Sequence, residues 1–136
     1  MRLEFNFSQS AVIPYRKKSG KLEVLLITSM KKKKGIIPKG YVEFNMSAFE
    51  SAKKEAYEEA GIIGTNETVE LGNYKKQKSA GMTKIKVFTM EVTEELEEYP
   101  EKKMRERKWF DPKEAAEKIS MPEVGEMILS LDSKLK

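Results

Sequence analysis

The stretch from Gly40 to Ile62, GYVEFNMSAFESAKKEAYEEAGI, fixes a helix and both of its ends, and it constrains the fold more than any other part of the chain. Ser47 has Glu50 three positions later, the capping-box spacing in which each side chain satisfies the other's backbone N–H at a helix start. Phe49, Ala52, Ala56 and Ala60 then recur at helical spacing, and Gly61 is placed to end the helix in a left-handed conformation. The small residues of that stripe demand close packing.

On the neighbouring face Glu55, Glu58 and Glu59 stand at i, i+3 and i+4, so their carboxylates project from one side of one turn. Like charges at this spacing destabilise a helix by roughly 0.2–0.5 kcal/mol per pair, and acids in the last turn oppose the dipole. Glu50 has Lys54 at i+4 as a partner, whereas the trio has none in that order. Two readings of the spacing stay open. One is a solvated charged face; the other is a set of hard oxygen ligands suited to Mg²⁺ or Mn²⁺. With no histidine and no cysteine in the chain, oxygen must hold any metal, and any general base is a carboxylate or a lysine.

The 136 residues suit one domain over 1–136, and 39% apolar with 35% charged content indicates a soluble globular protein rather than a disordered one. No long apolar run and no signal-peptide pattern occur, so the expected location is cytoplasmic, away from membranes. The net charge of +4, with a pI near 9.1, favours an anionic ligand. Nucleic acid is the competing partner. Because the basic residues are interspersed with acids and no aromatic RNA-binding signature is present, a compact polyanion fits at least as well.

In chain order, 10–15 and 22–28 read as strands of a hairpin about the Lys17–Gly20 turn, the second an apolar run buried on both faces. Lys31, Lys32, Lys33 and Lys34 form a run that must face solvent or an anion, and it leads into 36–40. Residues 67–74 and 85–92 read as strands around a basic turn, 75–84, which is either a hairpin tip or a phosphate wall. The acidic stretch 93–101 reads as an exposed connection in which Glu94, Glu95, Glu97 or Glu98 is a candidate extra metal ligand or base. A last strand over 106–110, with Trp109 in the core, precedes helices begun by Asp111-Pro112 and by Pro122.

Gly40, Glu55, Ala56, Glu58, Glu59, Gly61 and Ile62 fall at the spacing of the Nudix box, and the chain resembles Nudix hydrolases. Ile37-Pro38-Lys39-Gly40 and Tyr41-Val42-Glu43 look like the family's entry loop. Two positions depart from the pattern: Met46 stands where the family has Glu, and Lys54 where it has Arg. In the family these two form an ion pair bracing loop against helix, so the brace is expected to be lost. More softly, Lys84-Ile85-Lys86-Val87-Phe88, the acidic stretch and Arg107-Lys108-Trp109-Phe110 resemble the diphosphoinositol polyphosphate and diadenosine polyphosphate phosphohydrolase branch.

The resemblance implies an α/β (α+β) Nudix fold, a mixed sheet sandwiched between helices, and metal-assisted attack of water on a P–O–P bridge. It implies Glu58 and Glu59 as principal ligands of Mg²⁺ or Mn²⁺, Glu55 as third ligand or base, and the Gly40 carbonyl as a further ligand. Lys39, Lys32, Lys34 and Lys84 would hold non-reacting phosphates of a small phosphorylated substrate, a nucleoside diphosphate derivative, a diadenosine polyphosphate or an inositol pyrophosphate. RNA 5′ ends are the one nucleic acid compatible with that chemistry. Two other classes compete: a sensor of the same fold that binds a nucleotide without hydrolysis, suggested by Met46 and Lys54, and a partner-binding protein whose acidic helix is only surface.

Overall fold

The computed structural model describes residues 7–66, 68–78 and 81–135. In chain order the elements are β1 (Phe7–Lys18), β2 (Lys21–Thr28), β3 (Gly35–Ile36), β4 (Lys39–Tyr41), α1 (Ala48–Ala60), β5 (Ile62–Gly64), β6 (Glu70–Lys78), β7 (Gly81–Glu95), β8 (Arg107–Phe110), α2 (Pro112–Lys118), α3 (Pro122–Leu129) and α4 (Leu131–Lys134). Among the described residues no helix is long and apolar enough to cross a membrane.

The sheet is mixed and grows from β1. Its C-terminal half pairs antiparallel with β2, with Tyr15 opposite Val24 and Lys18 opposite Lys21, across a turn whose Ser19 and Gly20 both have positive φ (52° and 77°). Two such residues give a turn whose twist matches that of the flanking strands. Along its other edge β1 runs parallel to β7, from Phe7 beside Thr83 to Tyr15 beside Glu91. β7 continues antiparallel to β6 and, near its end, to β5; β8 pairs with β2, and the short β3 and β4 pair with β2 and β1.

Both faces of this sheet are covered, because the central strands are apolar at successive positions. Ala11, Ile13, Val24, Leu26, Ile85 and Val87 enter one core with Ala115, Val124, Ile128 and Leu131 of the C-terminal helices. Val12, Leu25, Ile27, Phe88 and Met90 enter the other with Ala52, Ala56 and Ala60 of α1. The alanine stripe lets α1 lie directly on the strands, which sets how deep its neighbouring glutamates sit.

Several expectations need correction. The segment 36–40 is not a plain loop, since β3 and β4 take up backbone pairing on either side of Ile37 and Pro38. The strand expected over 67–74 begins at Glu70, and Glu67 lies outside the described residues. The basic turn expected over 75–84 is mostly ladder, with Lys75 opposite Lys84 and Gln77 opposite Met82; Ser79 and Ala80 lie outside the described residues. Thr93, Glu94 and Glu95 extend β7 rather than forming a connection. Trp109 is only half-buried, with the Arg16 guanidinium 4.0 Å from its ring centroid.

Ala56 is fully buried beneath α1. Replacing it with leucine should lift the helix and destabilise the protein by about 1–3 kcal/mol in urea unfolding. An unchanged midpoint would contradict the close seating of α1.

Candidate active site

The helix carrying the glutamates is closed at both ends by side chains. At its start Glu50 N–H donates to Ser47 Oγ (3.0 Å) and Ser47 N–H to Glu50 Oε1 (3.2 Å), the reciprocal cap its sequence implies. At its end Gly61 adopts φ 64°, where a Cβ would run into the Tyr99 ring. The acidic connection then wraps the helix terminus. Leu96 N–H donates to Gly61 O (2.7 Å), Glu101 N–H to Glu58 O (2.9 Å), and Arg107 Nη1 to Ala60 O (2.8 Å). Carbonyls that the helix leaves unpaired are thereby satisfied, and Arg107 supplies the cation that the last turn of α1 lacks.

Of the three box glutamates, Glu59 is buried, whereas Glu55 and Glu58 are half-buried. Glu55 and Glu59 face one another closely enough for their carboxyls to share a hydrogen bond, one turn apart on the helix. Burial, and then that bond, push Glu59 up to about 9; burial raises Glu55 as well. The Lys39 N–H (3.3 Å) and the charge of Arg105 oppose the shift in Glu59 without cancelling it. The charge of Glu58 also acts on Glu55 and raises it, while Glu58 Oε1 lies 4.0 Å from Lys54 Nζ. Among the described residues no three carboxylates already converge as a closed metal shell.

The donor set nonetheless fits a hard divalent cation. Two carboxyls held together away from water keep a proton that a cation would replace, and every donor nearby is oxygen. Gly40 fits the same picture, because a Cβ there would lie 2.6 Å from Glu55 Oε1. Only glycine lets the β4 backbone approach that carboxyl so closely.

The expected loss of the loop brace is corrected. Lys54 Nζ lies 2.9 Å from Glu43 Oε2, so Glu43 takes the role that Met46 cannot perform. Glu43 precedes Met46 by three residues, and Met46 N–H closes a turn onto Glu43 O (3.1 Å), which brings that carboxylate over α1. Lys54 also lies within 4.0 Å of Glu58, giving the glutamate trio a partner.

A cavity of about 570 Å³ adjoins the carboxyl pair; two of its lining residues, Lys39 and Arg105, also act on Glu59. Lys31, Lys32, Lys34, Lys39, Lys76 and Arg105 line it, and among the described residues no acid does. Lys32, Lys34 and Lys39 therefore come together as the sequence suggests, while Lys84 lies on a separate cavity of about 190 Å³ with Lys86, Ser8 and Gln9. Lys76 reaches the site because β6 folds back along β7, a pairing that the basic turn conceals in the sequence. Arg105 and Glu101 were also not legible. Their ion pair (2.9 Å) sits where the acidic connection returns to the sheet, and Glu101 bears on Glu55. Of the four acids named from the sequence, Glu95 meets Arg107 (3.5 Å) and Trp109 (3.3 Å), and Glu98 pairs with Lys102 (2.8 Å).

The NUDIX domain family matches residues 7–130 of this sequence. The chain belongs to the NUDIX domain family. Nudix hydrolase 12, mitochondrial, of Arabidopsis thaliana is 41% identical over 105 residues, 71% of this chain and 52% of that protein. Nudix hydrolase 21, chloroplastic, of the same plant is 38% identical over 110 residues, 77% of this chain and 56% of that protein. This Nudix chain thus spans little more than half the length of these relatives. A solved structure of C. elegans Ap4A hydrolase superposes with a TM-score of 0.75 at 18% identity, covering 97% of this chain and 100% of that one. The NUDIX domain of Shewanella oneidensis NrtR complexed with ADP ribose gives 0.77 at 11% identity, covering 98% and 91%. These likenesses show the Nudix fold, a mixed sheet between helices. The expectation of a cytoplasmic location is overturned, because the relatives just described are named mitochondrial and chloroplastic.

Glu59 releases its proton near 9 in the fold and near 4.5 as a free side chain, so the native state binds the proton more tightly. Stability of the metal-free protein is therefore fully supported below about 4.5 and declines as pH rises toward 9. In a chelating buffer Glu59→Gln should gain on the unsubstituted protein between pH 6 and pH 9, by on the order of 1–3 kcal/mol of unfolding free energy. A difference that stays constant across that range would contradict the buried, proton-holding carboxyl.

Proposed function

We propose that this Nudix chain is a pyrophosphohydrolase dependent on Mg²⁺ or Mn²⁺ that cleaves a P–O–P bridge in a phosphate-dense small molecule, a diadenosine polyphosphate or an inositol pyrophosphate. One observation carries this reading: a cavity with six cationic lining residues and, among the described residues, no acidic one adjoins the buried Glu59 through Lys39 and Arg105, with the half-buried Glu55 beside it. Its apolar lining is Met30, Ile36 and Met121, with no aromatic ring among the described residues for a nucleobase to stack on. Charge rather than base recognition therefore dominates selection. The name of the C. elegans neighbour, Ap4A hydrolase, agrees with such a substrate.

In this reading the chain acts as one domain. Glu55, Glu58 and Glu59, with the Gly40 carbonyl, would hold the divalent cation, which when bound neutralises phosphate charge and acidifies water. Glu59 gives up the proton it shares with Glu55, and Glu55 is the carboxylate available to accept one from the attacking water. Lys54 and Glu43 hold the entry loop against α1, so the Gly40 backbone keeps its place over Glu55. Lys32, Lys34, Lys39, Lys76 and Arg105 fix the non-reacting phosphates and keep the scissile bridge beside the carboxyls. Lys84, on its separate cavity, has no part in this.

A sensor that binds without turnover draws its support from Met46 and Lys54. The Glu43–Lys54 pair at 2.9 Å weakens that support, since bracing no longer depends on position 46.

Product release from a panel of diadenosine polyphosphates, an inositol pyrophosphate, ADP-ribose, nucleoside triphosphates and 5′-triphosphate RNA tests the proposal. Turnover should require Mg²⁺ or Mn²⁺ and fall by about a hundredfold or more in Glu59→Gln. Absence of turnover, with a panel member still raising the melting temperature, would favour the sensor.

A further inference from the structure

A second cavity, of about 500 Å³, lies on the far side of the Met30–Lys34 loop, between the ends of β2, β8 and α2. Lys33, Lys34, Lys108 and Lys118 line it with Arg107, against a single acid among the described residues, Glu106. Among the described residues, none of those four lysines forms an ion pair with a carboxylate. Arg107 adds little, because its guanidinium already serves the carbonyls of Ala60, Gly61 and Leu96 and pairs with Glu95 (3.5 Å).

The wall is built rather than incidental. Lys108 and Lys118 lie over the same Phe110 ring, with ammonium groups 5.4 and 5.5 Å from its centroid, which gathers two like charges at one place. Beside Lys118, Gly35 approaches α2 so closely that a Cβ would stand 2.6 Å from Lys118 O, and Ser120 N–H donates to Gly35 O (2.9 Å). Cations collected around a concave surface raise the local potential for an anion beyond what scattered surface lysines achieve.

Lys34 and Ser120 line both this cavity and the one beside Glu59, so the two share a wall. A polyanion too long for the first cavity meets Lys34 and then the second. We propose that the second cavity is a phosphate site that takes the far end of a long polyphosphate substrate held in the first. This rests on the hydrolase reading for the identity of the ligand, but the existence of the site is independent of turnover.

The test uses Lys108→Glu combined with Lys118→Glu, two exposed positions absent from the cavity beside Glu59. Calorimetric titration with inorganic tripolyphosphate in chelating buffer should give two sites on the unsubstituted chain and one on the double variant. A single site on the unsubstituted chain, or two retained in the variant, would overturn the proposal. The second arm compares diadenosine polyphosphates of increasing length in Mg²⁺. The variant should raise KM by about tenfold for the hexaphosphate and less than about twofold for the triphosphate, with kcat unchanged. Equal effects at every length would overturn the assignment to the substrate's far end, leaving a site for a separate anion. If the unsubstituted chain turns over no member of the series, the hydrolase reading fails by itself, while the tripolyphosphate stoichiometry still decides whether the second site exists.

Discussion

Two carboxyls withdrawn from water on one turn of helix are the condition to which much of this structure answers. Glu59 is buried and Glu55 half-buried, and they tolerate one another by sharing a proton. An isolated carboxylate in such a position would be costly, so the surroundings are arranged to limit the penalty. The Lys39 N–H points at Glu59, Arg105 adds charge, and Arg107 with the returning connection completes the open end of α1. The alanine stripe that seats α1 on the sheet also fixes the depth of the pair.

This arrangement explains how the chain tolerates its departures from the family pattern. Met46 removes an anion from the usual bracing position, yet the turn from Glu43 to Met46 presents a replacement carboxylate to Lys54. Bracing depends on where a charge arrives over the helix, and more than one loop position can deliver it. The lysine at 54 makes a point contact with Glu43 and lies close enough to Glu58 to offset some repulsion within the trio.

What the sequence revealed and what it hid divide along a physical line. Local signals were readable: the Ser47–Glu50 cap, the Gly61 terminus, the Asp111-Pro112 start and the doubly buried β2 all depend on neighbours a few residues away. Features that require distant strands to meet were not. Lys76 reaches the cationic cavity only through the β6–β7 register, and Arg105 and Glu101 only because the acidic connection folds back over α1. The same long-range pairing turned an expected loop at 36–40 into two short strands and left Lys84 apart from the other lysines.

The central claim is that Glu55, Glu58 and Glu59 form a divalent-cation site, and uptake of Mn²⁺, followed by the loss of the free ion's paramagnetic resonance signal, tests it most directly. The unsubstituted chain should bind the ion, Glu59→Gln should weaken uptake by about tenfold or more, and Glu98→Gln, at an exposed side chain paired with Lys102, should leave it unchanged. Equal uptake by all three proteins, or none by any, would contradict the claim.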